Sequence, residues 1–327
     1  MDYSLNEDQT ALVEAVQAIV RDRIELPQSA RLSYHHFDEQ LQRSLSDSGF
    51  LDAGREMGPL EAALVVIEAA RAPAVVEVSA SALVMPQLLP KEHVEGPVAL
   101  ISGDALGKAQ RNLPIARHAV IDMGSDVVLL PVSADDVVPV ESILAYPYGR
   151  FKAQPRLSAG RKLGKQAVST LRQWWRVALA AEMAGAAQAA VSFTVQYVKE
   201  RHVFGRPLGT FQAVQHRLAQ CHQIANAMYF LALKAAWSEE QKEADLAACY
   251  AQQHVQKLMF DLHQFNGAMG VTNEHLLHFF TYRLRALQAE AGGAYGSALA
   301  IADRCWGATA AAQPEAAQPR SQECSSS

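Results

Sequence analysis

Two short segments carry residue types from which an anion-binding site can be built. The first runs Arg201-His202-Val203-Phe204-Gly205-Arg206-Pro207-Leu208-Gly209-Thr210-Phe211-Gln212 and continues through Gln215-His216-Arg217-Leu218-Ala219. A guanidinium is always charged, and its planar fork can hydrogen-bond a pair of phosphate oxygens. The second runs Gln264-Phe265-Asn266-Gly267-Ala268-Met269-Gly270-Val271-Thr272-Asn273-Glu274-His275. Glycine is needed where a backbone amide must approach a phosphate closely or take a positive φ. Each residue also has a plainer reading: Arg201 as a helix-end cation favoured by the dipole, Phe204 as a core residue, and Thr272 with Glu274 as the cap and first turn of the next helix.

Together the two segments resemble the signatures of the acyl-CoA dehydrogenase family. The first follows its Arg, Phe-Gly three residues on, then Pro and Phe-Gln, then His and Leu-Ala; the second follows its Gln-x-x-Gly-Gly-x-Gly-x-Thr-x-Glu turn. The resemblance covers about 165 to 306 clearly and extends more loosely to the N-terminal helices. It implies a mainly α fold with a small β middle domain and a C-terminal four-helix bundle, FAD as cofactor and an acyl-CoA substrate. It assigns Arg201 to the FAD pyrophosphate, Phe204 to the adenine or flavin side, and Gln212 to a hydrogen bond with the cofactor. Gln264, Gly267 and Ala268 fall on the turn that meets the adenosine diphosphate half of an FAD whose ring lies mainly in a neighbouring subunit. Ala268 stands where the family has its second glycine; a left-handed backbone there would cost roughly 1–2 kcal/mol for the methyl.

The resemblance also implies a glutamate that removes the proton α to the thioester carbonyl while the β-hydrogen leaves as hydride to the flavin. Burial that raises a carboxylate's pKa suits it to this work. Counting about nine residues on from Arg283 lands on Gly292, within Ala291-Gly292-Gly293-Ala294, which has no side chain. Glu290, two residues earlier, would lie roughly 200° round a helix and reads as an exposed helix-end carboxylate. The family's alternative position, before an Arg in the first long helix of the C-terminal half, is here Trp175-Arg176. Glu182, two turns later, reads as a surface or interhelical ion pair. No catalytic residue is therefore expected in this chain.

Between Gly96 and Pro155 there is no Glu-Pro-Gly-type segment, and no Trp precedes Trp174. The flavin-ring half of the site thus reads as absent or degenerate. In this the chain resembles the shorter subunit of the heteromeric α2β2 acyl-CoA dehydrogenases of bacterial steroid side-chain degradation. That resemblance implies a longer homologous partner subunit, a bulky CoA thioester such as a steroid side-chain CoA, and electron-transfer flavoprotein as acceptor. Two other readings stay open: a self-sufficient homo-oligomeric dehydrogenase using Glu290, and a non-catalytic scaffold with a degenerate flavin site.

Helices must position these segments. Ser4 with Glu7 fits a capping box, and Leu12, Val13, Val16, Ile19 and Val20 recur at helical spacing. A second helix opens near Pro59 and stops before Pro73, and a short one over Val75 to Met85 ends before Pro86. Short β-prone runs at 97–101, 119–121 and 127–130, set between Gly, Asp, Ser and Pro, predict the β-rich middle. Good helix formers with few breakers then predict helices over about 166–199, 210–237, 240–266 and 273–305. The expected domains are 1–94 (helical), 95–155 (reduced β-rich), 156–307 (helical bundle) and a disordered tail over 308–327.

Half of the 327 residues are apolar, enough for a large core, and a formal charge of -5 gives no overall reason to bind nucleic acid or an anionic membrane. No basic flank with an apolar run opens the chain and no stretch reads as about 20 apolar residues, so a cytoplasmic, non-membrane protein is expected. The four scattered cysteines read as free thiols, and no metal site is expected from His275 and His278, which lack accompanying ligands. Phe193, Tyr197, Met228, Phe230, Leu231 and Leu233 read as core and subunit packing.

Overall fold

Helix α1 (Glu7–Arg21) begins with a reciprocal capping box: Gln9 N–H donates to the Asn6 side chain at 2.8 Å, and Asn6 N–H donates to Gln9 Oε1 at 3.1 Å. The box expected at Ser4 and Glu7 is displaced by two residues, because Glu7 is already helical and the amide of Gln9 does the work of the carboxylate. The computed structural model describes residues 4–23, 26–27, 30 and 33–307; the expected tail over 308–327, with Cys324, lies outside the described residues.

Helix α2 (Glu39–Asp47) is capped by Asp38, and α3 (Ala53–Glu56) is a single turn. Helix α4 (Pro59–Ala69) opens on Pro59, whose missing N–H would be unpaired in the first turn anyway, and is buried from Ala62 onward. The helix expected over Val75 to Met85 is instead irregular at first, then π-helical over Ser79–Val84, then α5 (Met85–Leu88) with Pro86 in its first turn. Buried Glu77 is the reason: its carboxylate accepts from the N–H groups of Ala80 at 2.8 Å, Ser81 at 3.3 Å and Val98 at 2.9 Å, which fixes the turn and ties it to the first strand.

The β-prone runs become β1 (Val98–Ser102), β3 (His118–Asp122) and β4 (Val127–Pro131) of one sheet, with β7 (Arg161–Lys162) at its end. β1 pairs parallel to β3, and β4 pairs antiparallel to both β3 and β7. A second antiparallel sheet has the order β2 (Gln110–Arg111), β6 (Tyr148–Phe151), β5 (Val137–Val140). The fold is mainly helical with this small sheet region.

Helices α6 (Lys165–Glu200), α7 (Gln212–Ser238) and α8 (Gln241–Asn266) follow the expected spans within two residues. By length and composition α6 is apolar enough to cross a membrane, contrary to the sequence expectation, but most of its apolar stretch is buried inside the fold. Met228 and Leu233 lie in the core with it, whereas Phe230 is partly exposed. The single helix expected over 273–305 is split into α9 (Leu277–Leu287) and α10 (Gly293–Ala302). Ala291, Gly292 and Gly293 take φ of 52°, 89° and 65° in succession, which no right-handed helix can contain.

Candidate functional site

Arg201 caps the C-terminus of α6 with an exposed side chain, and its backbone is bound on both sides: its N–H donates to Tyr197 O at 2.8 Å, and Leu208 N–H donates to Arg201 O at 2.7 Å. From there the chain makes a two-residue hairpin between β8 (His202–Val203) and β9 (Arg206–Pro207), with Phe204 and Gly205 at its tip. Both tip residues have positive φ, 54° and 76°, the geometry that matches the twist of flanking strands. Glycine takes it freely; a bulky phenylalanine does not, at a cost of roughly 1–2 kcal/mol. Phe204 is nonetheless there and 91% exposed, so the plainer core reading is wrong. Arg206 lies over the Phe211 ring at 4.1 Å, and exposed Gln212 is the first residue of α7.

Helix α8 ends at Asn266, and Gly267 turns the chain with φ 57° and ψ -142°, a conformation open to glycine alone. Gln264, Gly267 and Ala268 are all exposed. Ala268 is not left-handed, so its methyl carries no strain. The second demanding position is Gly270, where a Cβ would stand 2.8 Å from Asn266 Cβ. Thr272 and Glu274 do not open the next helix: α9 starts at Leu277, and Thr272 Oγ1 donates to Met269 O at 2.9 Å, closing the 3-10 turn before it.

Side-chain contacts set both segments at one end of the bundle. Asn266 Nδ2 donates to Thr194 Oγ1, two turns before the end of α6, at 3.0 Å. The His275 ring packs edge-on between Phe193 and Tyr197, with centroids 4.8 and 5.3 Å away. Arg217, near the start of α7, pairs with buried Asp261 near the end of α8 and lies 4.9 Å from the Phe265 ring. Asp261 is drawn below the usual carboxylate range: burial opposes this, but Lys257 and Arg217 outweigh it. Burial and that carboxylate push the Cys221 thiol up to about 11, which suits an inert core thiol.

The other feature is a cleft of about 750 Å³ between the sheets and the α9–α10 junction. Glu290 lies in it, and it is neither exposed nor free. Its carboxylate takes both Nε and Nη2 of Arg111, at 2.6 and 3.0 Å, with Trp175 Nε1 3.4 Å away. Arg111 also bonds Glu182 at 3.2 and 3.3 Å, and Tyr146 Oη donates to Glu182 Oε1 at 2.6 Å. Glu182 is therefore a buried partner of a β-strand arginine, not a surface or interhelical pair. Burial alone would lower the pKa of Arg111, but the two carboxylates outweigh it and hold the guanidinium well above its ordinary value. Burial, then the Glu182 charge, raises that of Tyr146 well above a free phenol. Both Glu290 oxygens thus already accept hydrogen bonds, and neither stands free to meet a substrate. Fully buried Arg283 donates to Phe279 O, Ala70 O and Ala72 O, and with Glu182 it lines a small cavity beside α4.

Arg111 and Tyr146 were not among the residues singled out from sequence, and no local pattern marks them, because their partners are 36 to 179 residues away. The alternative base position, Trp175-Arg176, is also committed: Arg176 pairs with buried Asp245 at 2.5 Å, which Arg304 meets on its other oxygen at 2.8 Å.

Residues 164–305 match the family model described as acyl-CoA dehydrogenase, C-terminal domain. The helical bundle thus carries the C-terminal domain of the acyl-CoA dehydrogenase family. It is 29% identical to the acyl-CoA dehydrogenase IpdE2 of Mycobacterium tuberculosis, over 78% of this chain and 83% of that protein. Its fold matches a chain of the ChsE4-ChsE5 complex from the same organism with a TM-score of 0.74 at 20% identity, covering 96% of this chain and all of the other. It also matches a chain of the Tcur3481-Tcur3483 steroid acyl-CoA dehydrogenase, a G363A variant, with a TM-score of 0.73 at 23% identity, covering 94% and 100%.

The protein is an oxidoreductase with FAD as cofactor. The residues at the bundle end fit the phosphate half of that group: an exposed cation at Arg201, exposed amides at Gln212 and Gln264, and a glycine bend with open space where a Cβ of Gly267 would be. The cleft fits a flavin and a base less well, since its glutamate is bound to arginine.

Proposed function

We propose that this chain supplies the phosphate-binding face of a shared FAD site in an α2β2 acyl-CoA dehydrogenase, with a longer homologous subunit contributing the flavin-ring pocket and the catalytic base. The observation that carries this reading is a contrast within one chain. The residues suited to phosphate stand exposed at the bundle end, while the one carboxylate near the family's base position is held by Arg111.

Bound FAD supplies the hydride acceptor for α,β-desaturation of a CoA thioester. This chain's own part is binding: Arg201 pairs with phosphate oxygens, Gln212 and Gln264 hydrogen-bond the cofactor, the Gly267–Ala268 bend brings backbone amides close, and Phe204 covers the adenine or flavin side. Exposure of all six suits a site completed by another subunit. A steroid side-chain CoA as substrate is supported by likeness to a chain of a steroid acyl-CoA dehydrogenase, and a heteromeric assembly by likeness to a chain of the ChsE4-ChsE5 complex. Electron-transfer flavoprotein is the acceptor that the family resemblance implies.

The test is expression of this chain alone and together with a longer homologue encoded beside it, followed by flavin absorbance of the purified protein. Flavin only in the co-purified complex is expected. A flavin-loaded, active chain by itself would favour a homo-oligomer using Glu290, and a colourless complex would favour a scaffold.

A further inference from the structure

The cleft between the sheets and the α9–α10 junction shares no residue with the proposed phosphate-binding surface. Its walls are largely apolar, with Leu100, Leu144, Tyr148 and Trp175 among them, and Arg111 stands at its inner end. Arg111 holds its two carboxylates on unequal terms. Glu182 is on the long helix α6 and has a second strong partner in the Tyr146 hydroxyl at 2.6 Å. Among the described residues Glu290 has, besides Arg111, only Trp175 Nε1 at 3.4 Å as a side-chain partner, and it opens a one-turn 3-10 segment followed directly by positive φ at residues 291 to 293. A non-glycine residue, Ala291, at φ 52° marks stored backbone strain at that segment.

From this we propose that Arg111 is a receptor for the carboxylate of an organic acid with an apolar body, and that Glu290 is its internal occupant in the unliganded chain. The exchange conserves charge, because one carboxylate leaves the guanidinium as another arrives, and the bidentate geometry is the one Arg offers any carboxylate. The turn's backbone need not move: Gln252 Nε2 holds the carbonyls of Leu287 and Glu290 at 3.0 and 2.8 Å, so rotation of the Glu290 side chain suffices. The displaced carboxylate turns toward the rim, where the exposed cations Lys108 and Arg285 line the cleft. An internal occupant lowers apparent affinity by the fraction of molecules in which it stays bound, so removing it must strengthen binding.

The experiment is isothermal titration of the full-length chain with hexanoate, and with hexanamide as its uncharged counterpart. Wild type binds hexanoate weakly and hexanamide not at all; Glu290→Ala binds hexanoate at least tenfold more tightly; Glu290→Ala with Arg111→Met loses that gain while a thermal melt shows it folded. Equal hexanoate affinity in wild type and Glu290→Ala, no binding by either, or equal binding of hexanamide each overturns the proposal, whether or not the double variant folds. Adipoyl-CoA, tighter than hexanoate on Glu290→Ala, identifies the far end of an acyl thioester as the natural carboxylate; equal affinity identifies a free acid. None of these readings uses FAD or the partner subunit, so failure here leaves the shared-site reading standing, and the reverse.

Discussion

Asn266, the last residue of α8, donates its side-chain amide to Thr194 Oγ1 of α6 at 3.0 Å, in a wholly buried contact between residues 72 apart in sequence. It sets the glycine bend beside the helix whose end carries Arg201. Thr194→Val keeps the shape and removes the acceptor, leaving one Asn266 amide hydrogen unpaired. A loss of about 1–3 kcal/mol is expected, read as a lower urea midpoint with unchanged slope.

Arg201→Ala should leave folding nearly untouched, since the side chain is exposed. A charge-assisted contact to phosphate is worth about 1.5–3 kcal/mol, so FAD affinity of the assembled enzyme should fall about tenfold to a hundredfold. Flavin retained on gel filtration of the complex is the measurement; full retention would remove Arg201 from the site.

Phe204→Asn separates stability from function. Asn-Gly is the preferred pair for a hairpin tip with two positive φ values, so the isolated chain should gain up to about 1 kcal/mol, seen as a slightly higher Tm. Assembly with the partner or flavin retention should nevertheless weaken, because a 91% exposed phenylalanine in a strained conformation is lost. A variant improved in both respects would show that Phe204 has no such role.

Glu182→Gln should cost about 1–3 kcal/mol, because the largely buried Arg111 side chain loses one of its two compensating charges. Arg172→Gln is the comparison: it breaks a half-exposed pair with Asp122 and should cost about 1 kcal/mol or less. Urea unfolding of the two variants decides the order.

Acid sensitivity should trace in part to histidines. Burial lowers the pKa of His35, His263 and His275, with neighbouring histidine charges adding to it. The unfolded chain therefore takes up protons first as pH falls. Stability is complete above the unfolded value of about 6.5 and is lost as pH drops from there through the lower folded values. Buried Glu68 and Glu77 act in the opposite sense, because burial raises their pKa and the folded state binds the proton first. The test is thus a difference: Tm of His263→Gln, whose amide can still meet Thr281, should fall less than wild type between about pH 7.5 and 5.5. Parallel curves would clear His263 of the effect.

Local signals that act through the backbone were legible in the sequence: the long helices α6 to α8, Pro59 opening α4, the three β-prone runs, and Gly267 as a turn that only glycine can make. Signals that depend on a competing partner were not. Glu77 pulled the expected helix at Val75 into a π turn, and the Ala291–Gly293 sequence of positive φ split the last helix in two.

The six residues proposed for the phosphate side could be singled out because motif spacing along two chain segments is a one-dimensional property, and both segments end or begin helices whose direction spacing already fixes. The fate of Glu290 was not. Whether a carboxylate is an exposed base or a clamped anion depends on which charge the fold brings within hydrogen-bonding distance. Here that charge is Arg111, 179 residues away on a two-residue strand. Sequence determined which groups this protein has to offer; the packing of sheet against bundle decided which of them are already spoken for, because a buried charge must find its partner wherever in the chain that partner lies.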